Sequence, residues 1–101
     1  AVDLAGCAAL ASGYKNAPID KDTAVFGEVG LTGEVRGVTF AEKRVNECVK
    51  MGFKRVVFPA KNFKSVKKFE DKIRLIPVQF VNQMIRKLFP DERQQAQTEE
   101  Q

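Results

Sequence analysis

The stretch that decides the fold is FGEVGLTGEVR, residues 26–36. It joins an apolar, β-branched run, residues 23–27, to an alternating run, residues 34–38, and Gly30 and Gly33 lie at turn positions between them. This pattern predicts two strands with a glycine-bearing connection. A nucleotide-binding loop is disfavoured, because no Gly-Lys-Ser/Thr sequence follows and the two glutamates would repel phosphate.

Helices and strands alternate on both sides of this stretch. Residues 1–11 are alanine-rich and apolar nearly all round, which predicts a buried helix, and residues 12–22 are typical of turns. Downstream, the pattern predicts a helix from Ala41 that ends at Gly52, followed by a strand over 55–58. The next predicted helix has Asn62 as its N-cap and turns Phe63, Val66 and Phe69 inward. A strand over 73–76 and a helix over 81–89 complete the predicted elements.

The element order indicates an α/β fold, a mixed sheet with helices. The last three predicted strands are linked by helices, which favours parallel pairing among them. At 101 residues the chain has room for one domain, predicted over residues 1–89. Residues 90–101 form an acidic, glutamine-rich tail without an apolar period and are expected to be disordered.

The residue inventory excludes most catalytic and metal sites. The chain has no histidine, and Cys7 and Cys48 form no C-x-x-C pair, so they are expected to be buried free thiols. The serines, Ser12 and Ser65, have no lysine placed to be buried beside them. No catalytic residue, metal ligand or cofactor is therefore predicted. The chain has no apolar run long enough for a membrane span and no signal-peptide pattern, which indicates a cytoplasmic protein with no membrane partner.

Positive charge is concentrated in the middle of the chain. Residues 36–76 carry twelve basic and four acidic side chains, whereas the segments on either side are slightly acidic. Such a block favours an anionic partner, most often DNA bound through phosphates, although basic helix faces are often merely solvated. No exposed aromatic residue is expected among the basic residues, which disfavours the binding of single-stranded DNA by stacking of its nucleobases on aromatic rings. The DNA-binding candidates are Arg36, Lys50, Lys54, Arg55, Lys61, Lys64, Lys67 and Lys68.

Residues 26–36 closely resemble the strand-turn-strand signature of the C-terminal Lon-protease-like domain in the bacterial DNA-repair RadA (Sms) family. Phenylalanine before the Gly-Glu pair distinguishes this signature from the Lon one, which has threonine there. Segments on either side of this signature are similar to the same family, namely Asp3-Leu4-Ala5, Ser12, residues 16–19 and residues 51–59. The resemblance covers about residues 1–89. The resemblance implies an architecture like domain 2 of ribosomal protein S5, with the chain expected to be N-terminally truncated and to lack the first strands.

The resemblance also bears on catalysis. The nucleophilic serine of the Lon dyad falls on or near Ala1 and its lysine falls on Glu42, so both dyad groups are missing. A methyl group cannot attack a carbonyl, and a carboxylate reverses the charge of the site. The implied function is a non-proteolytic scaffold and DNA-binding domain.

The parent protein implied by the family is a DNA-dependent ATPase. It would carry ATP, Mg and Zn in other domains, form a homo-oligomeric ring and act near the nucleoid in recombinational repair and branch migration. Two alternatives stay open: an ATP-dependent Lon-type serine peptidase domain and a purely structural oligomerisation domain. If strands upstream of the first helix are missing, the alanine-rich face is expected to self-associate.

Overall fold

A computed structural model describes residues 2–90, and for Val2 the backbone only. Its strands are β1 (Val2–Asp3), β2 (Thr23–Val25), β3 (Glu28–Val29), β4 (Val35–Arg36), β5 (Arg55–Pro59) and β6 (Arg74–Val78). Its α-helices are α1 (Leu4–Lys15), α2 (Ala41–Lys50), α3 (Phe63–Val66) and α4 (Val81–Leu88), and 3-10 turns over Ala60–Asn62 and Lys67–Phe69 flank α3. The predicted mixed α/β fold class is confirmed.

A parallel sheet of order β2-β5-β6 forms the centre of the fold. The alternation of β5 divides the core into two clusters: Val56 and Phe58 pack with α2 and α3, and Val57 packs with α1 and α4. Helices therefore cover both faces of the sheet, as parallel sheets require. On the α2/α3 side the rings of Phe26 and Phe58 stack at 6.2 Å between centroids.

The second sheet is antiparallel, of order β1-β3-β4. Its middle strand, β3, lies inside the predicted glycine-bearing connection, and Glu28 pairs with Arg36 and Val29 with Val35. The turn from β3 to β4 is closed by a hydrogen bond from Gly30 N–H to the Glu34 carbonyl at 2.9 Å, and Gly33 has a positive φ of 83°. The predicted connection therefore contributes a strand, β3, which forms a short hairpin with β4.

The predicted strand pairing was wrong in one respect. The two strands flanking the connection do not belong to the same sheet, since β2 pairs with β5 and β4 pairs with β3. The parallel set consequently contains β2 in place of the predicted strand over 34–38. Helical crossovers limit which strands can be parallel, but a two-residue strand such as β4 carries too little apolar pattern to specify its sheet.

Helix α1 differs from its prediction in length and in burial. It continues to Lys15 through predicted turn residues and ends where Asn16 takes a left-handed conformation, donating its N–H to carbonyls of the last turn. Only Leu4 and Ala8 are buried, while Leu10 and Tyr14 are 74% and 92% exposed. The prediction of a buried helix was wrong, because apolar residues surround this helix while the sheet covers one side only.

The segment after β5 also differs from its prediction. Asn62 makes no side-chain cap bond; its amide instead accepts from Val38 N–H at 2.9 Å and donates to the Val38 carbonyl at 3.0 Å. The inward placement of Val66 and Phe69 is confirmed, with Phe63 partly buried beside them. Gly52 follows α2 with φ of 89°, the backbone geometry of the predicted stop.

Cys7 and Cys48 are free thiols and are half-buried, less than predicted. Burial raises the pKa of the Cys48 thiol, and the neighbouring Glu47 charge adds to the shift. No helix in residues 2–90 is long and apolar enough to cross a bilayer. Residues 91–101, which contain nearly all of the predicted disordered tail, lie outside the described residues.

Candidate nucleic-acid interface

The structure separates the eight predicted DNA-binding residues into two groups at opposite ends of the parallel sheet. Lys54 and Arg55 lie at the amino end of β5, and Lys50 ends α2 a few residues earlier. Arg36 and the four lysines from Lys61 to Lys68 lie in β4 and in the segment after β5. Because β5 spans about 16 Å at roughly 3.3 Å per residue, one small ligand cannot contact both groups.

The amino-end cations are engaged by the chain's own carboxylates. Arg55 forms an ion pair with Asp20 and donates to Thr23 Oγ1 at 3.2 Å. Lys54 Nζ lies 3.8 Å from Asp22 Oδ2. A hydrogen bond from the Asp22 N–H lowers the pKa of the Asp20 carboxyl, and the Arg55 charge lowers it further. These pairs attach the loop before β2 to the sheet, which makes Lys54 and Arg55 poor candidates for phosphate contacts.

The carboxyl-end cations form a more available surface. Lys61, Lys64, Lys67 and Lys68, which we call the lysine segment, are all exposed. Lys68 forms an ion pair with Glu42 at 2.6 Å. Within residues 2–90 the other three lysines have no carboxylate within ion-pair distance. Their charges are therefore free to meet an anion.

Arg36 is brought to the same end of the sheet. Its neighbour Gly37 lies so close to the lysine segment that a Cβ placed on it would stand 3.4 Å from the Lys61 Cβ. The two hydrogen bonds between Asn62 and Val38 hold β4 and the lysine segment together. Arg36 itself is exposed. Five of the eight predicted residues thus share one side of the molecule, and three do not.

Sequence reasoning missed an aromatic residue at this end of the sheet. Phe40 immediately precedes α2, is 77% exposed and has a positive φ of 63°, which is rare for a bulky side chain. Lys43 and Arg44 follow it in the first turn of α2, and each lines a depression together with Phe40. A phenylalanine before an amphipathic helix ordinarily predicts a core contact, and no sequence signal marked this one as exposed.

Phe40 forms part of the wall of two depressions. The larger, which we call the Phe40 groove, has a volume of about 610 Å³ and lies between α2 and α3; its polar lining includes Glu42, Lys43, Asn46, Asn62 and Ser65. The smaller, about 360 Å³, lies between Phe40 and the start of α1, with Asp3, Glu28 and Arg44 among its lining residues. The Arg44 guanidinium stands 5.8 Å from the centre of the Phe26 ring.

Of the two positions that the family resemblance assigns to the Lon dyad, Glu42 lines the Phe40 groove. Ala1 lies outside the described residues. Glu42 is exposed in the first turn of α2, where its carboxylate accepts from Lys68 Nζ. At the start of α1 the Asp3 carboxylate caps the helix by accepting from Gly6 N–H. A carboxylate held by an ion pair does not supply the neutral amine that serves as the general base of a serine-lysine dyad.

Comparison with known proteins agrees with the fold and the signature. The family model of the Lon protease (S16) C-terminal proteolytic domain matches residues 2–91. The DNA repair protein RadA of Listeria monocytogenes is 38% identical over 91 residues, which are 90% of this chain and 20% of that protein. RadA of Streptococcus pneumoniae is 36% identical over 89 residues, and RadA of Halalkalibacterium halodurans is 48% identical over 62. The chain spans about a fifth of the length of the Listeria and Streptococcus relatives.

Proposed function

The chain belongs to the family of Lon protease (S16) C-terminal proteolytic domains, and from that premise we propose that it is the non-proteolytic, DNA-binding scaffold domain of a RadA-type DNA-repair ATPase. The similarity to RadA proteins over most of the chain supports the repair context. The parent protein would act in recombinational repair and branch migration in the bacterial cytoplasm, near the nucleoid. ATP, Mg and Zn would belong to its other domains, and the ring would be homo-oligomeric.

The observation that carries the DNA-binding role is the lysine segment. Lys61, Lys64 and Lys67 are exposed and free of ion pairs within the described residues, and Gly37, the residue after Arg36, lies against Lys61. Lysines that neutralise phosphates release condensed counterions, which gives affinity without reading the base sequence. The domain is therefore expected to bind duplex DNA non-specifically and with a steep salt dependence.

The non-proteolytic part of the proposal rests on Ala1 and Glu42. Neither residue supplies the hydroxyl or the ammonium group of the dyad, and Glu42 is paired with Lys68. Restoring the dyad by substituting serine and lysine at these positions would test whether the rest of the site is retained. We expect no peptide hydrolysis from the wild-type chain.

A duplex titration at several salt concentrations tests DNA binding. In the variant with Lys61→Glu, Lys64→Glu and Lys67→Glu, we expect the affinity to fall at every salt concentration. The plot of log affinity against log salt should also become shallower, its slope decreasing in magnitude by about 3, at roughly 0.9 per lost phosphate contact. The control reverses Arg86 and Lys87 on α4, across the sheet, which is two charges against three, and should change both quantities less per reversed charge. Equal losses per reversed charge in the two variants would show that net charge, not this surface, binds DNA.

A second candidate function, assembly, is favoured by the outer face of α1. Ala5, Ala9, Leu10, Gly13 and Tyr14 are exposed, and the helix contains no charged residue before Lys15. Two copies packed antiparallel along this face would place Asp3 of each helix near Lys15 of the other, since α1 is about 18 Å long at 1.5 Å per residue. The occupant of this face would thus be a second copy of the chain.

Sedimentation velocity across a wide concentration range tests this candidate. Wild type should self-associate, and Leu10→Glu with Tyr14→Glu should stay monomeric, because a closed interface would bury four like charges. Leu31→Glu, at an equally exposed leucine in the β3–β4 turn, is the control. If the α1 variant keeps its DNA affinity, binding and assembly are separate properties of the domain. If the wild-type chain is monomeric at every concentration, the proposal that it assembles through this face is wrong.

A further inference from the structure

We propose that the Phe40 groove binds single-stranded DNA, with one base stacked on the Phe40 ring and the neighbouring phosphates held by lysines. The proposal rests on the proposed DNA-binding function and names a second form of DNA and a separate site for it. It also reverses the expectation that no exposed aromatic residue lies among the basic residues of the chain, because Phe40 is such a residue.

The ring of Phe40 is held in solvent by the backbone. An L-residue in the left-handed region carries a steric cost that the right-handed region lacks, and a ring that is 77% exposed recovers little of this cost by burial. The Asn62–Val38 bonds stabilise the chain two residues before Phe40, and α2 begins directly after it. The geometry therefore presents a flat aromatic face at the mouth of a groove, a recurrent platform for unstacked bases.

The charges around the groove suit a nucleotide strand. Lys43 lines the groove, and Lys61 and Lys64 adjoin the lining residues Asn62 and Ser65. The acidic group in the lining, Glu42, is neutralised by Lys68. The smaller depression is less suitable, because Asp3 and Glu28 would repel phosphates there.

The groove also offers hydrogen bonds to a base edge. The half-buried amide of Asn46 has no hydrogen-bond partner among residues 2–90, and the Ser65 hydroxyl, which donates to the Asn62 carbonyl, keeps lone pairs to accept with. The volume of about 610 Å³ lies in the range of small-ligand pockets. A duplex cannot place a base there, because its bases are paired and stacked within the helix.

The first test compares a labelled oligothymidine with a duplex of equal length. Phe40→Gly removes the ring and suits the positive φ, so the variant keeps its fold. We expect it to lose about 5- to 100-fold in single-strand affinity while duplex affinity changes little. Phe40→Tyr should retain single-strand binding, and Leu31→Ala, at an exposed apolar residue elsewhere, should have no effect. Unchanged single-strand affinity in Phe40→Gly overturns the proposal.

The second test reports stacking directly. The chain contains no tryptophan, so Phe40→Trp introduces one reporter at the site. Oligothymidine should quench its emission, and an abasic strand with the same phosphates should bind more weakly and not quench it. Equal quenching by both strands, or none by either, overturns the proposal. The duplex titration of the lysine variant is independent of both outcomes, so failure at Phe40 is distinguishable from failure of DNA binding as a whole.

Discussion

The two helical layers on either side of the parallel sheet bury similar inner faces and present unlike outer ones. Inward, α2 and α3 contribute Val45 and Val66, while α1 and α4 contribute Leu4 and Met84, all completely buried. Outward, the α2/α3 layer carries the lysine segment and Phe40. The outer face of α1 is neutral and apolar. The sheet thus dictates what points inward, and the outward sides are free to differ in the partner they suit.

The difference follows from how each layer meets the sheet. Successive side chains of β5 point to opposite faces, so Val56 and Phe58 serve one layer and Val57 the other. Nothing in that alternation constrains the residues on the far side of a helix. We therefore expect a core substitution to lower the stability of both layers together. A surface substitution is expected to change only the binding properties of the layer that carries it.

The largest expected effect is on the shared core. Phe58→Ala should lower the free energy of unfolding by about 3–5 kcal/mol, and Met84→Ala on the opposite face by about 2–5 kcal/mol, because each leaves a cavity among fully buried neighbours. Urea denaturation followed by circular dichroism measures both, with Leu31→Ala as the exposed control. Separate unfolding transitions for the two layers in either variant would contradict this expectation, since the layers would then not share one cooperative core.

The second effect concerns how the α2/α3 layer is joined to the antiparallel sheet. Asn62→Ala removes both hydrogen bonds to Val38 and leaves its backbone groups without their partner, which should cost about 1–3 kcal/mol. Ser65→Ala is the matched control, because the Ser65 hydroxyl bonds only to the Asn62 carbonyl three residues earlier. Equal stabilities for the two variants by urea denaturation would contradict the role assigned to Asn62.

A smaller effect, opposite in sign, is expected at Phe40. Phe40→Gly should raise the free energy of unfolding by about 1 kcal/mol, because glycine adopts a positive φ without the steric cost. Gly52→Ala is the reverse control: its φ is 89° and a Cβ there would meet no atom within 4 Å, so only the backbone cost remains. Thermal unfolding should show Phe40→Gly above wild type and Gly52→Ala below it. A destabilised Phe40→Gly would mean that the ring contributes to packing.

The smallest effect is a pH dependence at the amino end of the sheet. Because the folded-state pKa of Asp20 lies below its ordinary value of 3.8, the Asp20 interactions stabilise the fold above that value. This stabilisation is lost as the pH falls through the folded-state pKa. The stability difference between wild type and Asp20→Asn should therefore be positive near neutral pH and shrink as the solution is acidified below about pH 4. A difference that stays constant to pH 2 would exclude the carboxylate as its source.

Much of the fold could be predicted from local pattern. The apolar run of β5, the stop of α2 at Gly52 and the inward positions of Met84, Val66 and Phe69 follow from spacing, and the structure has them. The pairing of β4 could not be predicted, because a two-residue strand carries almost no periodicity. The exposure of Leu10 was missed for the opposite reason, since a helix that is apolar all round does not indicate which side faces the sheet.

The candidate site was predictable in charge but not in arrangement. Composition located the basic block, yet Lys54 and Arg55 are matched by Asp22 and Asp20. Lys68 is matched by Glu42, 26 residues away along the chain. Ion pairs between distant segments depend on how the strands and helices are placed, which net charge along a sequence does not describe. Charge along the sequence therefore does not show which cations have a carboxylate partner in the fold.

The sequence by itself determined the family, the α/β class and the excess of positive charge, because these depend on residue identity and short-range spacing. Only the tertiary structure decided that Gly37 lies against Lys61, that Asn62 bonds to Val38 and that Phe40 faces solvent at the mouth of a groove. Such contacts join residues distant in the chain, and their energies exist only once the sheet has brought them together.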